Sequence, residues 1–163
     1  MAPLFAISDA PNKVDAVSGA CLMIKREPFQ DLGMFSTDYF MYSEDIDLCF
    51  KVWKAGWDAY FIPKSIVVHH GGASSSQSKV NTFSDVMMLE SRRRFFRKTR
   101  NSWYSMLFQF GMLLVSFIRV AVLVFVLPAL HMRGKADGLE AALKKWKARL
   151  RWAIGFEKWV RSY

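Results

Sequence analysis

Apolar and polar positions change period several times along the chain, most plainly in its back half. Residues 103–130 carry one charged side chain, Arg119, in a run longer than the ~20 residues that cross a bilayer as a helix. Within that run Ser105, Gln109, Met112, Ser116 and Arg119 are spaced four, three, four and three. At ~100° per residue they make one narrow, mostly polar stripe. A span surrounded by lipid has no use for such a stripe. Either the helix lies along the interface, or it spans with the stripe against protein. Both flanks are basic, so charge asymmetry does not choose an orientation.

On either side of this run the pattern stays helical. Residues 83–100 predict a helix studded with Arg92, Arg93, Arg94, Arg97, Lys98 and Arg100. In the tail, residues 137–163, Leu139, Leu143, Trp146, Leu150 and Ala153 repeat at helical spacing among Lys144, Lys145, Lys147, Arg149 and Arg151. Such a helix suits the headgroup region of an anionic membrane. The alternative is an amphipathic helix packed on its own domain.

The front half mixes shorter elements. Residues 1–13, with Pro3 and Pro11, read as an irregular lead-in, and residues 14–24 suit a buried strand broken at Gly19, where backbone can approach a ligand closely. Pro28 fits the first turn of a short helix ending near Gly33, followed by an aromatic loop over residues 34–42. Ser43 is a candidate N-cap, with Glu44, Asp45 and Asp47 filling a first turn that favours negative charge. Ile46, Cys49, Phe50 and Trp53 continue at helical spacing to Gly56. A strand over residues 59–62 stops at Pro63, a second over 66–68 delivers His69, and residues 71–78 form a Gly and Ser-rich loop.

Composition adds a division of charge. The 163 residues are 52% hydrophobic, enough for one compact core with attachments. Residues 1–89 hold 7 Lys and Arg against 10 Asp and Glu, a net −3, whereas residues 90–163 hold 16 against 4, a net +12. A basic half points to nucleic acid or anionic lipid, and the apolar run between the basic blocks favours lipid over a phosphate groove. Cys21 and Cys49 lack the close spacing of a disulfide scaffold or zinc knuckle and read as two buried thiols in a reducing compartment. Residues 1–10 have no basic stretch ahead of an apolar core, so the front half is expected to stay in the cytoplasm.

Two clusters can carry chemistry: residues 42–49 (Tyr-Ser-Glu-Asp-Ile-Asp-Leu-Cys) and residues 67–74 (Val-Val-His-His-Gly-Gly-Ala-Ser). Taken singly, the first can be no more than an acidic helix start and the second a structural His at a strand end. With Gly19-Ala20-Cys21-Leu22-Met23-Ile24 and Gly33-Met34-Phe35 ahead of them, their order and spacing resemble the second half of family 2 glycosyltransferases. That family has the GT-A fold, an α/β class, and the likeness is closest to rhamnosyltransferase-like members. It covers residues 14–74, and the basic, apolar tail matches in character.

The resemblance implies a partial GT-A domain over residues 1–80, its acceptor-side half, then a basic helical linker (81–101), a transmembrane or interfacial helix (103–130) and a basic amphipathic helix (136–163). It makes Asp45 the base that takes the acceptor's hydroxyl proton, a role that suits a carboxylate at a helix start. Glu44 orients the site, and Asp47 contacts the acceptor or fixes the helix. Gly19, Tyr42 and Trp57 fall on the acceptor side. His69, with His70 a weaker candidate, ligates a divalent Mn²⁺ or Mg²⁺. Gly71, Gly72 and Ser74 close over the donor diphosphate.

Although Asp45-Ile46-Asp47 has the form Asp-x-Asp, the family's metal-binding Asp-x-Asp stands upstream, after nucleotide-binding strands, and that half is not in this sequence. The expected reaction is an inverting transfer from a nucleotide sugar to a hydroxyl of a lipid-linked saccharide, at the cytoplasmic face of a membrane. The competing expectation is a non-catalytic membrane-binding fragment or subunit.

Overall fold

A computed structural model describes residues 9–69, 82–131 and 137–163. The chain divides into two compact units rather than one core with attachments: the described residues 9–39 and 43–69 form the first, and Phe40–Tyr42 with the described residues from 82 onward form the second.

The first unit is built around helix α2 (Glu44–Lys54). Its buried side chains Asp47, Leu48 and Cys49 occupy one stretch of the helix, with Lys51 and Lys54 in the last turn, where the helix dipole favours cations. Gly56, at φ +83°, closes the helix with the amides of Gly56 and Trp57 on the carbonyls of Trp53 and Val52, at 3.0 and 3.1 Å. A side chain with Cβ would be strained in that backbone conformation. A shorter helix α1 (Arg26–Asp31) precedes it and ends at Gly33, as Pro28 and Gly33 predict.

Two strands of three residues, β1 (Asn12–Val14) and β2 (Ala59–Phe61), pair antiparallel with Lys13 opposite Tyr60. An ion pair from Lys13 to Asp58, 2.6 Å long, flanks the pairing. The larger strands expected over residues 14–24 and 66–68 are not formed. Met23 is 99% exposed and Ile66 90%, so both segments have strand-forming side chains but no neighbouring strand to cover them. Among the described residues, the α/β expectation reduces to a mostly helical chain with one small sheet. Cys49 is buried as expected; Cys21, on the unpaired segment, is exposed.

The second unit is a helical assembly of α3 (Thr82–Thr99), α4 (Ser102–His131) and α5 (Asp137–Ala153), with a 3₁₀ turn (Lys158–Arg161). Asn101 separates α3 from α4 and caps the latter, its side-chain oxygen accepting the Tyr104 amide at 2.9 Å. The core joins Val86, Met87 and Leu89 of α3 to Trp152, Ala153 and Val160, with Phe108, Met112 and Leu113 of α4 against it. The sequence stripe of α4 faces this packing: Ser105 and Ser116 are buried, Gln109 donates to the Ala153 carbonyl at 2.8 Å, and Arg119 lies 5.7 Å over the Trp146 ring. The apolar side of α5, expected to meet lipid headgroups, thus packs on protein. Trp152 and Ala153 are buried, while Lys144, Lys147 and Arg151 remain exposed.

One buried carboxylate organises this assembly. Glu90 on α3 accepts from Arg93 at 2.8 Å, from Arg94 at 3.4 Å and from the Trp152 indole at 3.0 Å. Burial pushes its carboxyl up, but the Arg93 and Trp152 donors and the two guanidinium charges outweigh that and leave it below its ordinary value near 4.5. A carboxyl lowered on folding stabilises the protein fully above the ordinary carboxyl range, and the contribution disappears as pH falls through the lowered value. Glu90→Gln is therefore expected to cost roughly 2 kcal/mol at pH 7 and to flatten the decline of the unfolding midpoint between about pH 5 and pH 3. Thermal unfolding of both proteins across that range checks it; parallel pH profiles would show that Glu90 is not the group responsible.

Candidate active site

The start of α2 carries the acidic cluster, and the backbone leading into it is unusual. Tyr42 and Ser43 both adopt left-handed conformations, at φ +67° and +68°, which cost about 1–2 kcal/mol each for residues with a Cβ. In this geometry Ser43 occupies the cap position without a side-chain cap hydrogen bond. Its carbonyl accepts the Asp47 amide at 2.8 Å. The Asp45 side chain serves the helix start instead, Oδ1 accepting the Ile46 amide at 2.8 Å.

The other Asp45 oxygen, Oδ2, accepts the Gly19 amide at 2.8 Å. Gly19 was expected to admit a ligand; the close approach is to Asp45 itself. A Cβ placed on Gly19 would lie 3.3 Å from the Asp45 Cβ and 3.4 Å from Oδ2, tighter than ordinary van der Waals contact. A second thread joins the same segments one turn further on, where the Val17 amide approaches the Cys49 sulfur at 3.5 Å. The irregular segment around Gly19 is thus laid along α2, with Asp45 held by two backbone donors.

The remaining predicted residues separate. Glu44 is half-buried beside Asp45, and its Oε2 is buried without a hydrogen-bond partner, a condition uncommon for a buried carboxylate oxygen. Asp47 is fully buried; Ser36 Oγ donates to one oxygen and Tyr39 OH to the other, the latter at 3.3 Å. In this position Asp47 ties the aromatic loop to α2 and presents no face to an acceptor. Trp57 is 49% exposed beyond the far end of α2, about 15 Å of helix away from Asp45. Tyr42 packs against the Val86 and Met87 core of the second unit. Sequence reasoning missed Ser36 and Tyr39 as partners of Asp47, because a loop contact eleven and eight residues away carries no periodic signal.

His69 is exposed and lines an open groove of about 1290 Å³ between residues 12–23 and 60–69, together with Cys21, Ser65 and Tyr60. Gly19 and Asp45 are not among the residues lining it. His70, Gly71, Gly72 and Ser74 lie outside the described residues. No group of three or more His, Cys, Asp or Glu side chains comes together among the described residues. Mn²⁺ and Mg²⁺ need several ligands, mostly oxygen. A single imidazole does not fit such an ion by itself.

Comparison with known proteins agrees with the motif order. The family model described as Glycosyl transferase family group 2 matches residues 5–162. The N-acetylglucosaminyl-diphospho-decaprenol L-rhamnosyltransferase of Mycobacterium tuberculosis is 41% identical over 71 residues, 44% of this chain and 23% of that protein. Rhamnosyltransferase WbbL of Escherichia coli K12 is 33% identical over 57 residues, 35% of this chain and 22% of that protein. These matches span less than a quarter of the curated relatives' length. No solved structure matches. With the family model covering nearly the whole sequence and the acidic helix start arranged around Gly19, the chain belongs to glycosyl transferase family group 2.

Proposed function

We propose that this chain supplies the acceptor-activating part of an inverting sugar transferase, one that moves rhamnose from a nucleotide sugar to a hydroxyl of a lipid-diphosphate-linked saccharide. The observation that carries the reading is the Asp45 carboxylate, fixed at the start of α2 by the Gly19 and Ile46 amides at 2.8 Å each. Each oxygen keeps a second lone pair. Asp45 takes the proton as the acceptor hydroxyl oxygen bonds to the anomeric carbon, and the nucleoside diphosphate leaves with the electron pair of the broken bond. Attack from the face opposite the leaving group inverts that carbon. Glu44, half-buried beside Asp45, orients the acceptor sugar. The choice of sugar rests on the names of both relatives, and the acceptor class on that of the mycobacterial one.

Transfer also needs a donor site. The strand-forming segments around Met23 and Ile66 expose their side chains, which suits completion of the sheet by further strands from a donor-binding half, in the same polypeptide or another. A divalent metal, in this reading, takes at most His69 from the described residues and its other ligands from that half and the donor. The same exposed segments favour one second reading, a non-catalytic subunit that docks beside a complete transferase.

Asp45→Asn, assayed in the chain joined to a donor-binding half, is expected to lower transfer at least a thousandfold while nucleoside diphosphate binding stays within about twofold. Turnover close to normal would remove Asp45 as the base. Transfer absent from the unmodified assembly despite donor binding would favour the subunit reading.

A milder variant tests the support of that carboxylate. Gly19→Ala pushes the Asp45 side chain by a few tenths of an ångström without a backbone conflict, so kcat/KM should fall about tenfold with little change in unfolding temperature. An unchanged kcat/KM would show that the position of Asp45 does not depend on the Gly19 contact.

A further inference from the structure

The apolar surface of α4 is the largest feature that the sugar-transfer reading leaves unused. Residues 102–126 are long and apolar enough to cross a membrane, yet almost none of this stretch is buried in the protein. Trp103, Leu107, Phe110, Leu114, Phe117 and Phe125 are all at least half exposed. At ~100° per residue they fall on one side of the helix, opposite the stripe of Ser105, Gln109 and Ser116.

What lies behind that stripe decides how the apolar side can be used. Gln109 meets the Ala153 carbonyl and Arg119 meets Trp146, so α5 runs antiparallel along α4 over this length. Between Trp146 and Ala153 stand Lys147, Arg149 and Arg151. Arg149 pairs with Asp85 of α3 at 3.0 Å, and Trp152 with Glu90 at 3.0 Å. These charges are level with the middle of the apolar stretch, not with its ends. If α4 stood upright across a bilayer, they would lie near the midplane, where each charged side chain opposes insertion by roughly a hundredfold.

From this packing we infer that α4 is a monotopic membrane anchor. It lies parallel to the surface of an anionic bilayer, with its aromatic face among the acyl chains and the basic α5 held above it at headgroup level. The occupant of the exposed face is lipid, and charge complementarity supports the choice. The +12 excess of residues 90–163 is carried in part by Lys144 and Lys147, both exposed on α5, within a Debye length of the headgroups in this orientation. The arrangement also resolves the two alternatives that the sequence stripe leaves open: the stripe is against protein, and the helix lies in the plane. This inference rests on the packing of α3, α4 and α5, not on the sugar-transfer reading, and its test does not involve catalysis.

The test places nitroxide labels on the full chain at Trp103→Cys, Phe110→Cys, Phe117→Cys and Phe125→Cys, one at a time. A Cys21→Ser background leaves only the buried Cys49 thiol. In vesicles of phosphatidylcholine with phosphatidylglycerol, all four labels should sit at a common depth, about 5–10 Å below the phosphates. A span would instead put Phe110 and Phe117 near the midplane and Trp103 and Phe125 near opposite surfaces, since these residues cover about 33 Å of helix; that pattern overturns the inference. Labels shielded from lipid but coupled between chains would overturn it in favour of a second copy on this face. Lys144→Glu with Lys147→Glu, which leaves the apolar face intact, should weaken partitioning to the anionic vesicles at least tenfold. Equal affinity for charged and neutral vesicles would remove the role assigned to α5.

Discussion

The hydrogen bond from the Gly19 amide to Asp45 Oδ2 is the contact around which the candidate site of the first unit is arranged. It joins an irregular segment to the first turn of α2, so close that a Cβ at residue 19 would lie 3.3 Å from the Asp45 Cβ and displace that side chain slightly. Because the second carboxylate oxygen is taken by the Ile46 amide, Asp45 is oriented by backbone alone. Backbone donors at a helix start lose no side-chain entropy when they hold a carboxylate, and the helix dipole adds to the attraction. The tie from Asp47 to Ser36 and Tyr39 then fixes the loop in front of the same turn. Two carboxylates two residues apart serve different ends because one is half-exposed and the other is enclosed.

The second unit has its own organising carboxylate. Glu90 draws Arg93, Arg94 and the Trp152 indole together, fastening α5 to α3 with the ionised form satisfied on several sides. Asp85 repeats the device nearer the start of α3, pairing with Arg149. Two acidic residues on α3 thereby hold a helix that would otherwise repel its basic neighbours. Held in this way, α5 covers the polar stripe of α4 and leaves the opposite, apolar side exposed.

Helices α1 to α4 were legible in the sequence to within about two residues, because their signals are local, whereas the tail helix expected over residues 136–163 ends at Ala153. Pro28 and Gly33 bracket α1, the acidic turn and Gly56 bracket α2, and the uncharged run marks α4. The stripe from Ser105 to Arg119 was visible too, but whether it faced protein stayed open until its contacts with α5 were seen. The strand over residues 59–62 was read to within a residue, but two others were misread for the converse reason. Residues 14–24 and 66–68 have strand-forming side chains, but a strand exists only where another pairs with it, and within the described residues only Asn12–Val14 and Ala59–Phe61 find partners. In the site, residue type and motif order singled out Asp45 as the candidate base. They could not show Asp47 as a buried tie or Gly19 against Asp45, since both depend on contacts across the fold. The pairing of Glu90 with Arg93 and Arg94, three and four residues on, was readable as helix spacing; its bond to Trp152 was not.

In the proposed reaction Asp45 receives the acceptor's proton from the position in which Gly19 holds it. A crystal structure of the assembled enzyme with a nucleoside diphosphate and an acceptor analogue addresses this most directly. The reacting hydroxyl oxygen is expected about 2.6–3.2 Å from an Asp45 carboxylate oxygen, with the Gly19 contact retained. A hydroxyl placed instead against Glu44 or another base, or an Asp45 turned away from Gly19 in the complex, would contradict it.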